Sequence, residues 1–68
     1  MKFNQVINEV LDKDHPRFKR KAWVNKKLEV GFPNSISIIV LNDINNIIDT
    51  NYNFTEEDLT ASDWEVVN

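Results

Sequence analysis

Cysteine is absent from this chain of 68 residues, and small size without cross-links sets the hardest limit on how it can fold. A domain of this length buries only about 60% of the surface that its unfolded chain exposes. Its core alone rarely supplies more than about 3–5 kcal/mol. Disulfides, thiolate metal sites and a cysteine nucleophile are excluded, and the single histidine, His15, excludes any two-histidine metal motif. Self-association is then the remaining source of extra stability. The hydrophobic fraction of 41% and the charged fraction of 28% fit one folded domain over residues 1–68 rather than a disordered segment.

The apolar spacing predicts the local structure. Phe3, Val6, Ile7, Val10 and Leu11 form one stripe at the helical period, so residues 3–13 are expected to be an amphipathic helix. Pro16 stops it near Lys13 and leaves His15 as a solvated linker. Residues 17–24 alternate, with Phe18, Arg20 and Ala22 on one side and Lys19, Lys21 and Trp23 on the other, which predicts a strand. Asn25-Lys26-Lys27 is a turn, and Leu28, Val30 and Phe32 mark a second strand that Pro33-Asn34-Ser35 breaks. A third strand runs from Ile36 to Leu41, Asn42-Asp43 can turn, and residues 44–49 pair back as a fourth. A helix over 36–48 also fits the spacing of Leu41, Ile44, Ile47 and Ile48, but the β-branched density favours strand. Thr55-Glu56-Glu57-Asp58 reads as a helix start of about one turn. Trp64, Val66 and Val67 then suggest a closing strand. The expected class is α+β: one N-terminal amphipathic helix on a small antiparallel β-sheet, with a short helical turn before a C-terminal strand.

Several function classes fall away. The longest apolar run, Ile38-Ile39-Val40-Leu41, is far short of a membrane span, and Met1–Gln5 has no apolar export region. An intracellular protein with no membrane partner is expected. The single glycine, Gly31, excludes glycine-rich phosphate loops. No pairing of nucleophile, base and orienting group is visible, so no catalytic residue is assigned and an enzyme is not expected. Glu56, Glu57 and Asp58 suit a helix N-terminus better than a pair of glycosidase carboxylates. No metal site and no cofactor are expected.

The charge is laid out unevenly. The net charge is −3, yet residues 13–27 hold seven of the eight bases against Asp14 alone, and residues 43–68 hold seven acids and no base. An anion site on an acidic protein fits this pattern, and so does attraction between the two halves within or between subunits. Long nucleic acid is disfavoured, because the acidic half repels phosphates. Within the basic segment lies Trp23, flanked by Lys19-Arg20-Lys21 and by Asn25-Lys26-Lys27. An aromatic face beside Arg and Lys binds a nucleobase by stacking and a phosphate by charge-assisted hydrogen bonds. On composition alone, packing of Trp23 in the core or an interface is the commoner outcome. Trp64 on a closing strand is also more often core, with Asp63 available to hold its indole N–H.

Three segments together carry a resemblance. Met1-Lys2-Phe3, Arg20-Lys21-Ala22-Trp23 followed by Asn25 and Lys26, and Asp58-Leu59-Thr60-Ala61-Ser62-Asp63-Trp64-Glu65-Val66-Val67 cover about a third of the chain. They resemble the phage-encoded Thoeris anti-defence family of the second type, small proteins long described as a domain of unknown function. The chain departs from that pattern in three places. Ala22 replaces a glycine, Val24 separates Trp23 from Asn25, and the middle region is shortened, so no ligand contact from it carries over.

The resemblance implies a sponge rather than an enzyme. Such proteins form homodimers or homotetramers and enclose a cyclic nucleotide immune signal, a cyclic ADP-ribose isomer or a cyclic oligonucleotide, in the cytoplasm of the infected bacterial host. On this expectation Trp23 stacks on a base, Arg20 and Lys26 neutralise phosphate, and Asn25 reads a base edge or ribose hydroxyl. Asp63 accepts from ribose hydroxyls or fixes Trp64, which completes the ligand-binding set. The alternative from another class is a small acidic inhibitor that docks on a host protein through residues 43–68 or a sheet edge.

Overall fold

The computed structural model describes residues 1–12, 17–31 and 37–67. Its elements are α1 (Phe3–Asp12), β1 (Arg17–Arg20), β2 (Lys27–Gly31), β3 (Ser37–Leu41), β4 (Ile47–Asp49), α2 (Glu56–Thr60) and β5 (Trp64–Val67). The fold is α+β, with α1 lying against β1 and β5 of a five-stranded antiparallel sheet. The strand order is β4-β3-β2-β1-β5, so the last strand closes beside the first. Among the described residues, no helix is long and apolar enough to cross a membrane.

The helix forms where the 3.6 period predicts it. Val6 and Val10 are buried, and Leu11, at the margin of the stripe, is exposed. At its start Gln5 Oε1 accepts the Lys2 N–H at 2.9 Å, which satisfies a donor that no helical carbonyl reaches. Across the sheet the register aligns Val66, Phe18, Leu28 and Val40 in one row over four strands. Val30 opposite Ile38 extends that face. The row packs against Val6, Val10 and Trp64, and this cluster is the core. On the other face Arg17 lies opposite Glu29 and pairs with it at 2.9 Å.

The structure shifts several expected boundaries. β1 stops at Arg20 instead of reaching residue 24, because the chain turns there: Trp23 N donates to Arg20 O at 3.1 Å. The turn moves Trp23 off the lysine side of the strand and packs it against the core. Lys27 belongs to β2 rather than to the preceding turn. β4 covers only Ile47–Asp49, because residues 42–46 form a loop in which Asn42 Oδ1 accepts from the N–H groups of Ile44 and Asn46. Residues 37–41 are strand, and the helical alternative over 36–48 does not occur in the described part. The expectations for Lys13, His15, Pro16, Phe32, Pro33, Asn34, Ser35 and Ile36 lie outside the described residues.

Candidate functional site

Trp64 is fully buried and is the hub of an aromatic cluster. Its ring centroid lies 5.6 Å from Phe3, 5.6 Å from Phe18, 5.3 Å from Trp23 and 6.2 Å from Phe54. Such tilted and edge-on contacts suit the ring quadrupoles. The indole N–H donates to the carbonyl of Asp58 at 2.8 Å. The expected partner, the Asp63 side chain, is engaged elsewhere: Asp63 Oδ1 accepts from Arg20 Nε at 2.9 Å.

Arg20 sits at the end of β1, directly opposite Trp64 in the register. Besides Asp63, its guanidinium meets Glu57 at 3.3 Å and Asp58 at 3.6 Å, and its side chain is only 16% exposed. The hydrogen bond to Asp63 is the main cause that raises the Arg20 pKa, and the same bond holds the Asp63 carboxyl below the usual aspartate range. Arg20 and Asp63, expected at a ligand, instead bind each other. The attraction between basic and acidic segments is in this respect intramolecular.

Asp58 is buried, and burial by itself pushes its carboxyl up. Hydrogen bonds from the Tyr52 hydroxyl and Thr55, together with the Arg20 charge, outweigh that and hold it below its ordinary value. The Tyr52 O–H···Oδ2 distance is 2.6 Å. Thr55 and Asp58 complete a capping box: Asp58 N donates to Thr55 Oγ1 and Thr55 N to Asp58 Oδ2, each at 3.1 Å. The Tyr52 pKa is driven strongly upward, first by burial and then by its bond to the ionised Asp58.

The residues that remain on offer surround Trp23. This side chain is half-buried, with Tyr52 at 5.8 Å and Trp64 at 5.3 Å on its inner sides. Lys26 Nζ lies 3.9 Å from the Trp23 ring centroid and 5.2 Å from that of Tyr52, a cation–π arrangement. Lys19 Nζ donates to the Trp23 carbonyl at 3.2 Å. Two ammonium groups and two aromatic rings therefore converge on one residue. Asn25 is close in sequence but takes a scaffold role: its φ is 55°, and its Oδ1 accepts the Asp43 N–H at 2.9 Å, which ties the β1–β2 turn to the β3–β4 loop.

Of the six residues expected at the ligand, the structure thus gathers Trp23 and Lys26 into one half-exposed patch. It places Arg20 and Asp63 in an ion-pair network beside it and Trp64 in the wall behind it. Tyr52 and Lys19 join the patch without having been expected there. Lys19 lay in view within the basic run; nothing local marks Tyr52, which reaches Trp23 only through the chain crossing after β4. No protein-family model, curated protein or solved structure matches this chain.

Proposed function

We propose that this chain is a non-enzymatic sponge that binds and sequesters a cyclic nucleotide immune signal. The observation that carries the reading is the Lys26 ammonium 3.9 Å over the Trp23 ring, with Tyr52 beside it. That pairing combines a stacking surface with a cation, the two elements a phosphorylated nucleotide needs. A base entering the patch takes the place of Lys26 on the indole, and the displaced ammonium moves to the phosphate. Lys19 adds a second positive charge at the Trp23 backbone. Arg20 supports the wall and is not the phosphate ligand, because three carboxylates already hold it.

One stack is worth about 1–3 kcal/mol, whereas nanomolar affinity requires about −12 kcal/mol. Enclosure between copies supplies the remainder in this reading, as a homodimer or homotetramer acting in the cytoplasm of an infected bacterium. Isothermal calorimetry with cyclic ADP-ribose isomers and with cyclic di- and trinucleotides tests it. Heat with one of these ligands is expected, and the ligand released on heating should be intact. No heat with any of them, or recovery of a hydrolysed product, sinks the proposal.

A second reading, a protein-binding inhibitor, is favoured by a separate observation. Ile44, Ile47 and Ile48 are 74%, 63% and 57% exposed on or beside the β4 edge, where backbone groups can accept a partner strand. Trp23→Ala abolishes ligand binding under the first reading and leaves partner capture intact under the second. Ile47→Lys and Ile48→Lys, on the exposed edge strand, do the opposite.

A further inference from the structure

Asp58 reads in the sequence as an ordinary helix-start acid, but it touches both rings that flank Trp23. Its carboxylate takes the Tyr52 hydroxyl at 2.6 Å, and its carbonyl takes the Trp64 indole N–H at 2.8 Å. Tyr52 and Trp64 in turn lie 5.8 Å and 5.3 Å from Trp23. We propose that Asp58 is the positioning residue of the Trp23 patch, setting the stacking surface through its carboxylate bond to Tyr52 while the backbone at the same position holds the Trp64 indole. The inference rests on the binding reading above and deepens it.

A capping role alone does not account for the geometry. The cap uses the Asp58 N–H and the Oδ2 bond to Thr55 N. The bond to Tyr52 uses the same oxygen for a second, shorter contact with a residue that is not in α2. The carbonyl is available because α2 ends at Thr60, before Ser62, the residue whose helical N–H would reach it. A five-residue helix so short leaves that acceptor for the indole. Arg20, at 3.6 Å from Oδ1, keeps the carboxylate charged, and a charged acceptor holds a hydroxyl more firmly than a neutral one. Through one residue the acid network at Arg20 is joined to the aromatic wall of the patch.

The test uses Tyr52→Phe, Asp58→Asn and the double variant, with two readouts. The first is acrylamide quenching of tryptophan fluorescence in the free protein. Trp64 has no exposed surface, so quenching reports Trp23. The second is calorimetric titration with cyclic ADP-ribose. Each single variant should raise the quenching constant about twofold and weaken binding about tenfold, because the Trp23 face is then no longer held in one orientation before the ligand arrives. The double variant should bind no more weakly than the weaker single one, because one substitution removes and the other weakens the same link. Tyr52→Phe leaves the capping box whole, so it decides the matter if Asp58→Asn does not fold. Unchanged quenching in folded Tyr52→Phe overturns the proposal, as do losses that multiply to about a hundredfold in the double variant. Heat absent for the wild-type protein, with quenching raised in both variants, supports the positioning role and counts against the nucleotide reading alone.

Discussion

Arg20 Nε donates to Asp63 Oδ1 at 2.9 Å across 43 positions of the chain. The pair ties the last residue of β1 to the residue that precedes β5, where Lys21 N also donates to Asp63 O at 3.0 Å. Two adjacent hydrogen bonds thus fix the corner at which Trp64 enters the core.

Acid stability follows from this pair. Asp63 and Asp58 both titrate below the ordinary aspartate value of 3.8 in the folded state. As pH falls, the unfolded chain takes up protons first, so stability is full above that value and is lost as pH drops through the folded ones. Melting temperature should therefore be level from about pH 5 to 7 and fall below about pH 4. Asp63→Asn should melt lower at neutral pH and show a shallower acid fall. An acid limb as steep as that of the wild type would contradict this.

Tyr52 is the chain's one tyrosine, so its ionisation is read without ambiguity from tyrosinate absorbance. Burial and the bond to Asp58 push its pKa strongly above the ordinary 10.0. The unfolded chain releases this proton first, so stability is whole below that value and is lost as pH rises above it. Tyrosinate absorbance in the native protein should appear only with unfolding, recorded together by circular dichroism. A simple titration centred near the free-tyrosine value in the folded protein would refute the bond to Asp58.

Trp64→Ala should be the most damaging single substitution in the core. It empties the hub of the ring cluster and strands the Asp58 carbonyl, and such deletions cost about 3–5 kcal/mol. That equals the whole stability expected of a small domain. Loss of a cooperative thermal transition is the expected outcome, and a transition within a few degrees of the wild type would be inconsistent with the packing described.

Lys26→Met separates binding from stability. The thioether can cover Trp23 without the charge, so unfolding free energy should change by less than about 1 kcal/mol. Ligand affinity should fall, and its dependence on salt should weaken, because a phosphate partner is lost. Binding as tight and as salt-sensitive as in the wild type would remove Lys26 from the site.

Asn25 sits at φ 55° in the loop that joins β1 to β2. Asn25→Gly loses the bond to Asp43 N–H and adds freedom to the unfolded chain, whereas Asn25→Ala loses the same bond and takes the left-handed penalty of about 1–2 kcal/mol. Denaturant titration should rank wild type above Gly and Gly above Ala. An alanine variant at least as stable as the glycine one would contradict the turn geometry.

The local elements were legible because they depend on neighbours in the chain. The stripe from Phe3 to Leu11 marks α1, Thr55 and Asp58 mark the capped start of α2, and alternation marks β2 and β3. The α+β class follows from those periods. The roles of the charged residues were not legible in the same way. A run such as Arg20-Lys21-Ala22-Trp23 does not say which acid will meet Arg20, and only β5 folding back beside β1 supplies Asp63. The same closure buries Trp64, and the crossing after β4 delivers Tyr52 to Trp23 and Asp58. Sequence by itself marked the order of helices and strands and the presence of a basic-aromatic segment, because period and capping act within a few residues, whereas the turns set where β1 and β4 lie. The tertiary structure alone decided which cation stays at the ring and which is taken into an ion pair, because that depends on contacts between segments far apart in the chain.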